Sequence, residues 1–184
     1  MVDNSDHEYW ADDLAAGDER AFNKLVAAHG ARVQAIARQF LGSHADAEDV
    51  MQEVFVKAWR ARASFDPRRA SVATWLYRIT ANTCLDRLRR RKRWRWLGLE
   101  HIAEHVDDTV PGDTQLEHRQ DVTAVRRDIL DLPERQRLAL LLVLLGERSA
   151  QEVADIMGTS RGGAEQLVVR ARQTLRQRQR DRDK

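Results

Sequence analysis

Near the middle of the chain, seven cationic side chains fall within nine residues, and two tryptophans are interleaved with them. The set is Arg87, Arg89, Arg90, Arg91, Lys92, Arg93 and Arg95, with Trp94 and Trp96. Arginine and lysine neutralise phosphate groups, and aromatic rings stack on nucleobases. A solvated basic helix face is the alternative, but surface helices are rarely this one-sided. The basic run therefore predicts an anionic partner.

The residues just before the basic run have the spacing of an amphipathic helix. After an N-cap at Ser71, an inward stripe recurs at i, i+3, i+4, i+7 and i+11: Val72, Trp75, Leu76, Ile79 and Thr83. Phe65 stands in the preceding loop, where we expect it to be exposed, and Asn82 lies within the helix. An aromatic pocket, an amide and flanking arginines suit the capture of a flipped base. For Trp75, burial in the core is the simpler interpretation.

A second candidate site lies in residues 149–172, which have the layout of a helix–turn–helix unit. A capping box at Ser149–Glu152 opens a short helix, and a second helix follows the turn at Gly158. The second helix of such a unit enters the major groove with its first residues at base edges. Spacing alone also allows an ordinary helical hairpin. The candidate DNA contacts are Arg161, Glu165 and Gln166 for bases, and Arg170 and Arg172 for phosphates.

One short pattern matches a zinc-binding signature, but its sequence context does not support a metal site. His101, Glu104 and His105 form H-x-x-E-H, an inverted zinc-protease signature. The pattern lies in an acidic segment that has no long helix to align the histidines and no clear third ligand. The sequence has no nucleophile elbow, phosphate-binding loop or cysteine cluster. It therefore predicts no enzyme, no catalytic residue, no metal and no cofactor.

The composition is that of a helical protein with segregated charge. Nine glycines and three prolines in 184 residues leave little material for turns. The net charge of +2 hides an acidic start, the basic run, an acidic stretch and a basic end. No signal peptide or membrane-spanning run is recognisable, and the lone Cys84 cannot form an internal disulfide. We expect a cytoplasmic all-α protein with no membrane insertion and a packed thiol.

Periodicity and turn signals predict two small helical domains joined by an acidic flexible linker. Residues 1–95 form a helical bundle whose first helix is anchored by Trp10 and Leu14. Residues 96–118 form the linker, and residues 119–184 form the helix–turn–helix domain. Within the bundle, the helix over residues 45–62 presents an acidic, amide-bearing outer face: Asp46, Glu48, Asp49, Gln52 and Glu53.

Three stretches, in this order, resemble the extracytoplasmic-function (ECF) sigma factors, the minimal class of bacterial sigma-70 factors. DAEDVMQEVFVKAW (46–59) is similar to the family's helix that docks on the β′ clamp of core RNA polymerase. FDPRRASVATWLYRITANTCLDRLRRRKR (65–93) is similar to the part that melts and reads the −10 element. Residues 132–176 are similar to the domain that reads the −35 element and touches the β flap. The resemblance covers most of the chain.

The resemblance implies an initiation factor that brings core RNA polymerase to promoter DNA and is controlled by an anti-sigma factor. The implied core-docking residues are Asp46, Glu48, Asp49, Gln52 and Glu53. The implied −10 residues are Phe65, Trp75, Asn82, Arg87, Arg90 and Arg91, and the implied −35 residues are Arg161, Glu165, Gln166, Arg170 and Arg172. A stand-alone helix–turn–helix regulator, with residues 21–93 as a dimerisation or sensor domain, is the competing interpretation.

Two departures from the family concern the second helix of the helix–turn–helix. Members commonly have Lys or Arg and then Ser where this chain has Glu165 and Gln166, and an aromatic or His in place of Val169. Glutamate can accept from cytosine and glutamine can pair with adenine, so we expect an unusual −35 preference. Gly162 and Gly163 weaken the helix start by roughly 1 kcal/mol each relative to alanine. We therefore expect that start to become fully ordered only on DNA or a partner.

Overall fold

The computed structural model of the chain describes residues 10–97 and 116–182, with side chains described from residue 122 onward in the second range. Every regular element in these two ranges is helical, which confirms the all-α class. The helices are α1 (Ala11–Ala16), α2 (Glu19–Leu41), α3 (His44–Ala61), a 3-10 turn (Arg62–Ser64), α4 (Val72–Trp96), α5 (Leu116–Leu130), α6 (Glu134–Leu144), α7 (Ala150–Met157) and α8 (Arg161–Arg182).

The helix ends of the first bundle follow the local capping signals. The hydroxyls of Ser43 and Ser71 accept from the backbone N–H groups of Asp46 and Thr74, as predicted, and these bonds begin α3 and α4. Gly42 ends α2 in the left-handed conformation with φ of 76°. A Cβ at Gly42 would lie 2.9 Å from the Leu130 side chain, so the position needs glycine for space as well as for conformation.

The helix–turn–helix unit is also capped as predicted. Ser149 and Glu152 form a complete capping box at α7, and Gly158 ends that helix with φ of 60°. Pro133 occupies the N-cap position of α6. α4 extends to Trp96 and α5 begins at Leu116, so both helices reach into the stretch predicted as linker. The H-x-x-E-H pattern and residues 98–115 lie outside the described residues.

The core of the N-terminal bundle forms where α2, α3 and α4 meet, and Trp10 and Leu14 are buried against it as predicted. On the side of α3 opposite its acidic face, Val50, Val54, Phe55 and Ala58 are all buried. No helix within the described ranges is long and apolar enough to cross a bilayer. The same ranges contain no group of three or more side chains placed to hold a metal ion.

The two halves of the chain share one hydrophobic core in which α4 contacts α7 and α2 contacts α5 and α6. Three arginines from three different helices bind the last carbonyls of α2. Arg137 donates to the Phe40 carbonyl at 2.6 Å, and Arg91 and Arg126 donate to the next two carbonyls at 3.2 Å each. A helix C-terminus carries unpaired carbonyls and partial negative charge, which guanidinium groups satisfy. The sequence provided no expectation for this arrangement.

Candidate nucleic-acid interface

The first half of α4 belongs to the core. Leu76, Tyr77 and Cys84 are fully buried, and Trp75 is half-buried against the same cluster. Burial raises the pKa of the Cys84 thiol to about 12, because the thiolate would lose its hydration. The prediction of a packed thiol is therefore confirmed.

Phe65 does not occupy the exposed position that we expected. Its side chain is only 6% exposed, and its ring lies 5.0 Å from that of Trp75 at an angle of 38°. The chain turns inward here because the Phe65 N–H donates to the Arg62 carbonyl at 3.0 Å, and the Asp66 carboxylate holds the next turn through Arg68. The expectation of a free ring was wrong, since a loop position does not fix the direction of its side chain. Phe65 instead supports one side of Trp75.

Asn82 has an exposed side chain on the face of α4 that looks toward α7. It lies at the wall of a cavity of about 390 Å³ that Arg78 and Leu85 line from α4 and Met157 lines from α7. One guanidinium nitrogen of Arg78 donates to the Asp155 carbonyl at 2.6 Å and so ties the two helices together. Asn82 is therefore open to solvent at the edge of the contact between α4 and α7.

The basic run divides into an inward and an outward set. Arg87 donates to the carboxylates of Asp46 and Asp49, and Arg91 donates to the Leu41 carbonyl. We predicted phosphate contacts for both arginines, and this structure directs them into the protein instead. The reason is helical phase: positions 87 and 91 continue the inward stripe of positions 76, 79 and 83. That spacing was readable in the sequence, but it fits Arg90 as well, so the contacts with α2 and α3 are what identify the inward pair.

The outward set keeps the properties that nucleic-acid binding requires. Arg90, Arg93 and Arg95 are exposed, and so are Trp94 and Trp96. Two other cations of the run are already bound: Arg89 pairs with Asp86 on the same helix, and Lys92 pairs with Glu134 of α6. The last two turns of α4 therefore present a basic surface with two exposed indole rings, where stacking and phosphate neutralisation can act together.

The outer face of α3 is acidic, as the sequence indicates, with one exception. Glu48, Asp49 and Gln52 are exposed, and Glu53 is half-buried beside Lys57, 2.8 Å from its ammonium group. Asp46 was predicted on this face, but its side chain is only 20% exposed because it turns toward Arg87 on α4.

An apolar groove continues this acidic face and was missed by the sequence analysis. Phe22 of α2 and Phe55, Val56 and Trp59 of α3 line a cavity of about 550 Å³ that opens to solvent. Val56 is an exposed valine one helical turn after Gln52. That spacing was the available signal, since an apolar residue on a polar helix face is common at binding surfaces.

The helix–turn–helix places all five predicted −35 residues on the exposed side of α8. Arg161, Glu165, Gln166, Arg170 and Arg172 are exposed, while Ala164 and Ala171 are buried on the opposite side. The Arg161 guanidinium lies 2.9 Å from the Glu165 carboxylate and pairs with it. α8 is regular from Arg161, and the expectation that its start becomes fully ordered only on DNA or a partner stays a prediction. The Ser160 hydroxyl accepts from the Gly163 N–H at 3.1 Å and so caps the helix start.

A helical bundle with a basic, aromatic-flanked helix, followed by a helix–turn–helix, defines a two-domain DNA-binding protein. Family models match both parts: "Sigma-70 region 2" matches residues 25–94 and "Sigma-70, region 4" matches residues 124–175. The chain is 34% identical to the ECF RNA polymerase sigma factor SigM of Mycobacterium tuberculosis over 160 residues, which cover 87% of this chain and 78% of SigM. It is 30% identical to SigW of Bacillus subtilis over 173 residues, covering 90% of this chain and 92% of SigW.

Solved structures agree with these matches. A structure of CnrH in complex with the cytosolic domain of CnrY aligns with a TM-score of 0.73 and 28% identity, covering 99% of this chain and all of CnrH. The sigma factor RpoE in complex with the anti-sigma factor NepR from Bartonella quintana aligns with a TM-score of 0.70, covering 86% of this chain and 96% of RpoE, and at 24% identity it supports the fold alone. This chain belongs to the ECF sigma factors, the non-enzymatic factors that bind core RNA polymerase and direct it to promoters.

Proposed function

We propose that this ECF sigma factor works through three separate surfaces, each built from one of the stretches found in the sequence. The outer face of α3 docks on core polymerase, the outward half of α4 binds the −10 element, and α8 reads the −35 element. In this proposal residues 1–95 and 119–184 are the two functional domains, and residues 96–118 are the acidic linker. The main support for this proposal is that three different helices present exposed side chains: the acidic face of α3, the basic face of α4 and the recognition helix α8.

The docking surface consists of Glu48, Asp49, Gln52 and Glu53, with the apolar groove at Val56 as its continuation. Carboxylates at the rim of an interface steer a basic partner, and a buried apolar centre supplies affinity. The β′ clamp of core polymerase is the partner that the family resemblance implies. Asp46 contributes through its contact with Arg87 rather than by direct contact.

Promoter opening in this proposal depends on binding energy alone, without catalysis by the sigma factor. Unstacking a base costs a few kcal/mol, which hydrogen bonds to the flipped base and stacking offset. Asn82 supplies the amide, and Trp75, supported by Phe65, supplies a partly exposed ring. Arg90 supplies phosphate neutralisation from the outward side of α4. In this proposal the strand enters more readily when α4 parts from α7, because Met157 of α7 lines the cavity beside Asn82.

The proposal includes an anti-sigma factor as a further partner and the cytoplasm as the place of action. It is supported by the structure of the relative CnrH, which was solved in complex with the cytosolic domain of CnrY. Core polymerase and promoter DNA are cytoplasmic in bacteria, which supports the location. Nothing specific favours a stand-alone regulator.

Co-purification with core polymerase tests the proposed function directly. We expect stoichiometric binding to core polymerase and promoter-specific run-off transcription on genomic DNA. Asp49→Arg places a cation on the docking face and should lower core affinity at least about tenfold, while helix content is retained. Asn82→Ala should impair open-complex formation more than binding to the −35 duplex. A wild-type chain that binds promoter DNA without binding core polymerase would instead identify a stand-alone regulator.

A further inference from the structure

Arg87 of α4 joins two surfaces that the proposed function treats as separate. Its Nε and Nη2 atoms both donate to Oδ1 of Asp46, at 2.9 and 2.6 Å, and Nη2 also donates to Oδ2 of Asp49 at 2.7 Å. Asp46 and Asp49 lie one turn apart on α3, so a single guanidinium spans the first turn of the docking helix. The planar arginine fork is suited to hold two carboxylates in a fixed geometry, which a lysine ammonium is not.

The two carboxylates differ in what remains available to a partner. The Asp46 side chain is 20% exposed and its Oδ1 already accepts two bonds, whereas the Asp49 side chain is 60% exposed. Asp46 is therefore an anchor, and Asp49 is the end of the cluster that faces solvent. Partial burial lowers the pKa of Arg87, but the hydrogen bonds and charges of Asp46 and Asp49 outweigh it and leave the pKa raised. The guanidinium consequently stays charged and bound throughout the physiological range.

A second contact of the same kind lies further along the two helices. The Lys57 ammonium donates to the Thr83 hydroxyl of α4 at 3.1 Å and lies 2.8 Å from the Glu53 carboxylate on its own helix. Each end of the acidic face is thus held by a cation that bridges to α4. The side chains of the docking face are therefore held in position partly by α4, the DNA-binding helix, and not by α3 alone.

We propose that Arg87 is a positioning residue for core-polymerase docking and not a DNA-phosphate contact. It acts through Asp49, whose carboxylate it holds in place while Asp46 anchors it to the start of α3. The inference rests on the proposed docking function of α3. Ordering a long side chain at an interface costs about 0.5–1.5 kcal/mol, so a carboxylate that is already held binds about two- to tenfold better than a free one.

A double-mutant cycle on core-polymerase binding tests this role. Arg87→Gln should lower the affinity for core polymerase about two- to tenfold in the wild-type background and have almost no effect when Asp49 is already Asn. Asp46→Asn should reproduce the loss, and Arg87→Lys should restore part of it because the charge remains without the fork. Arg89→Gln is the matched control, since Arg89 lies on the same helix and pairs with Asp86 rather than with α3. Thermal unfolding of each variant accompanies the binding measurement.

Binding of a single-stranded −10 oligonucleotide at several salt concentrations separates the two possible roles of Arg87. Arg90→Gln should reduce the slope of log affinity against log salt by about 0.7, the value for one lost phosphate contact, and Arg87→Gln should leave the slope unchanged. A reduced slope in Arg87→Gln would overturn the inference. So would a loss of core-polymerase affinity on Arg87→Gln that is equally large in the wild-type and the Asp49→Asn backgrounds. If Arg87→Gln does not fold, Asp46→Asn and Arg87→Lys carry the core-binding measurement, and Arg87→Met, which also removes the charge, carries the salt titration. A wild-type chain that fails to bind core polymerase would overturn the proposed function instead.

Discussion

Arg87 and Arg90 are three residues apart on α4 and carry the same side chain, but they have different partners. Arg87 continues the inward stripe of the helix and meets carboxylates of α3, while Arg90 projects into solvent. Residue type alone predicts the same phosphate contact for both. Spacing does not separate them, because residues three apart share a helix face as residues four apart do. The carboxylates of Asp46 and Asp49, which bind Arg87, make the difference. A cationic run on a helix should therefore be checked for acidic partners on neighbouring helices before its members are assigned to DNA.

Cys84 provides a residue-scale prediction for chemical reactivity. The thiolate is the reactive form, and burial raises the pKa of Cys84 to about 12 in the folded chain. At pH 8 a thiol reagent should therefore modify the native protein far more slowly than the protein in denaturant. The measurement is the release of the reagent's chromophore over time. Equal rates in the two conditions would show that Cys84 is accessible in the folded state.

The same thiol predicts how stability depends on pH in the alkaline range. The ordinary pKa is 9.0 and the native one is about 12, so between these values only the unfolded chain loses the proton. The Cys84 contribution is constant below pH 9 and falls as pH rises further. Between pH 7.5 and pH 10 the free energy of unfolding should drop by about 1.4 kcal/mol more in the wild type than in Cys84→Ala. Parallel curves for the two proteins in denaturant titrations would contradict this.

Glu165 carries a prediction about promoter preference. Its carboxylate is exposed on α8 and pairs with Arg161 one turn earlier, so the two side chains reach DNA as a unit. Replacing Glu165 by Gln should change base preference at one −35 position by about 1–3 kcal/mol and weaken the orientation of Arg161. Selection of bound sequences from a randomised −35 duplex measures the preference. An unchanged selected sequence would remove Glu165 from the base-contacting residues.

At the scale of elements, the start of α8 offers a matched pair of glycines. A Cβ at Gly162 would meet nothing within 4 Å, whereas a Cβ at Gly163 would lie 2.7 Å from the Thr159 hydroxyl oxygen. Gly162→Ala should therefore stabilise the protein by roughly 0.5–1 kcal/mol, the usual gain of alanine over glycine in a helix. Gly163→Ala should gain less or lose stability, because Thr159 must move. Thermal unfolding of both variants gives the comparison, and equal gains would contradict the close contact at Gly163.

The elements themselves could be predicted because their signals are local. Ser43 and Ser71 begin helices through hydroxyls that bond three residues ahead, and Gly158 ends one because it adopts positive φ easily. The direction of Phe65 could not be predicted, since it depends on a contact with Trp75 from another segment. Asp46 was misplaced for the same reason: its partner Arg87 is 41 residues away. Contacts between elements decide which part of a correctly predicted element is exposed.

At the scale of the whole molecule, the charged contacts between the two halves are of unequal strength. Arg32 pairs with Glu147 and Lys92 pairs with Glu134, but these pairs are solvent-exposed or nearly so, and such pairs contribute about 0–1 kcal/mol each. Arg137 is buried, and burial lowers its pKa, although Glu134 and Asp131 act in the opposite direction. Its guanidinium donates to two backbone carbonyls instead of to a carboxylate.

This arrangement couples the contact between the halves to DNA binding. Asn82 and Arg78 lie at the edge of the contact between α4 and α7, so we expect the −10 strand and α7 to compete for part of this surface. When only a fraction of molecules is open, the apparent affinity for the strand is reduced by that fraction. Any change that loosens the contact between α4 and the C-terminal helices should therefore strengthen binding of the single strand, although it touches no DNA-binding residue.

Replacing Arg137 tests this coupling. Arg137→Met keeps an apolar stem of similar length but leaves the carbonyls of Phe40 and Leu132 without the donors that now lie at 2.6 and 3.1 Å. The variant loses the hydrogen bonds that the charged guanidinium makes, but it also avoids the free-energy cost of burying that charge. We expect the net effect to weaken the closed arrangement by about 2 kcal/mol. We expect a larger radius of gyration in small-angle scattering and up to about thirtyfold tighter binding of a single-stranded −10 oligonucleotide, with helix content retained. Arg176→Met, on the exposed surface of α8, is the control and should change neither value. A more expanded Arg137→Met protein that bound the strand no better would show that α7 does not compete with DNA.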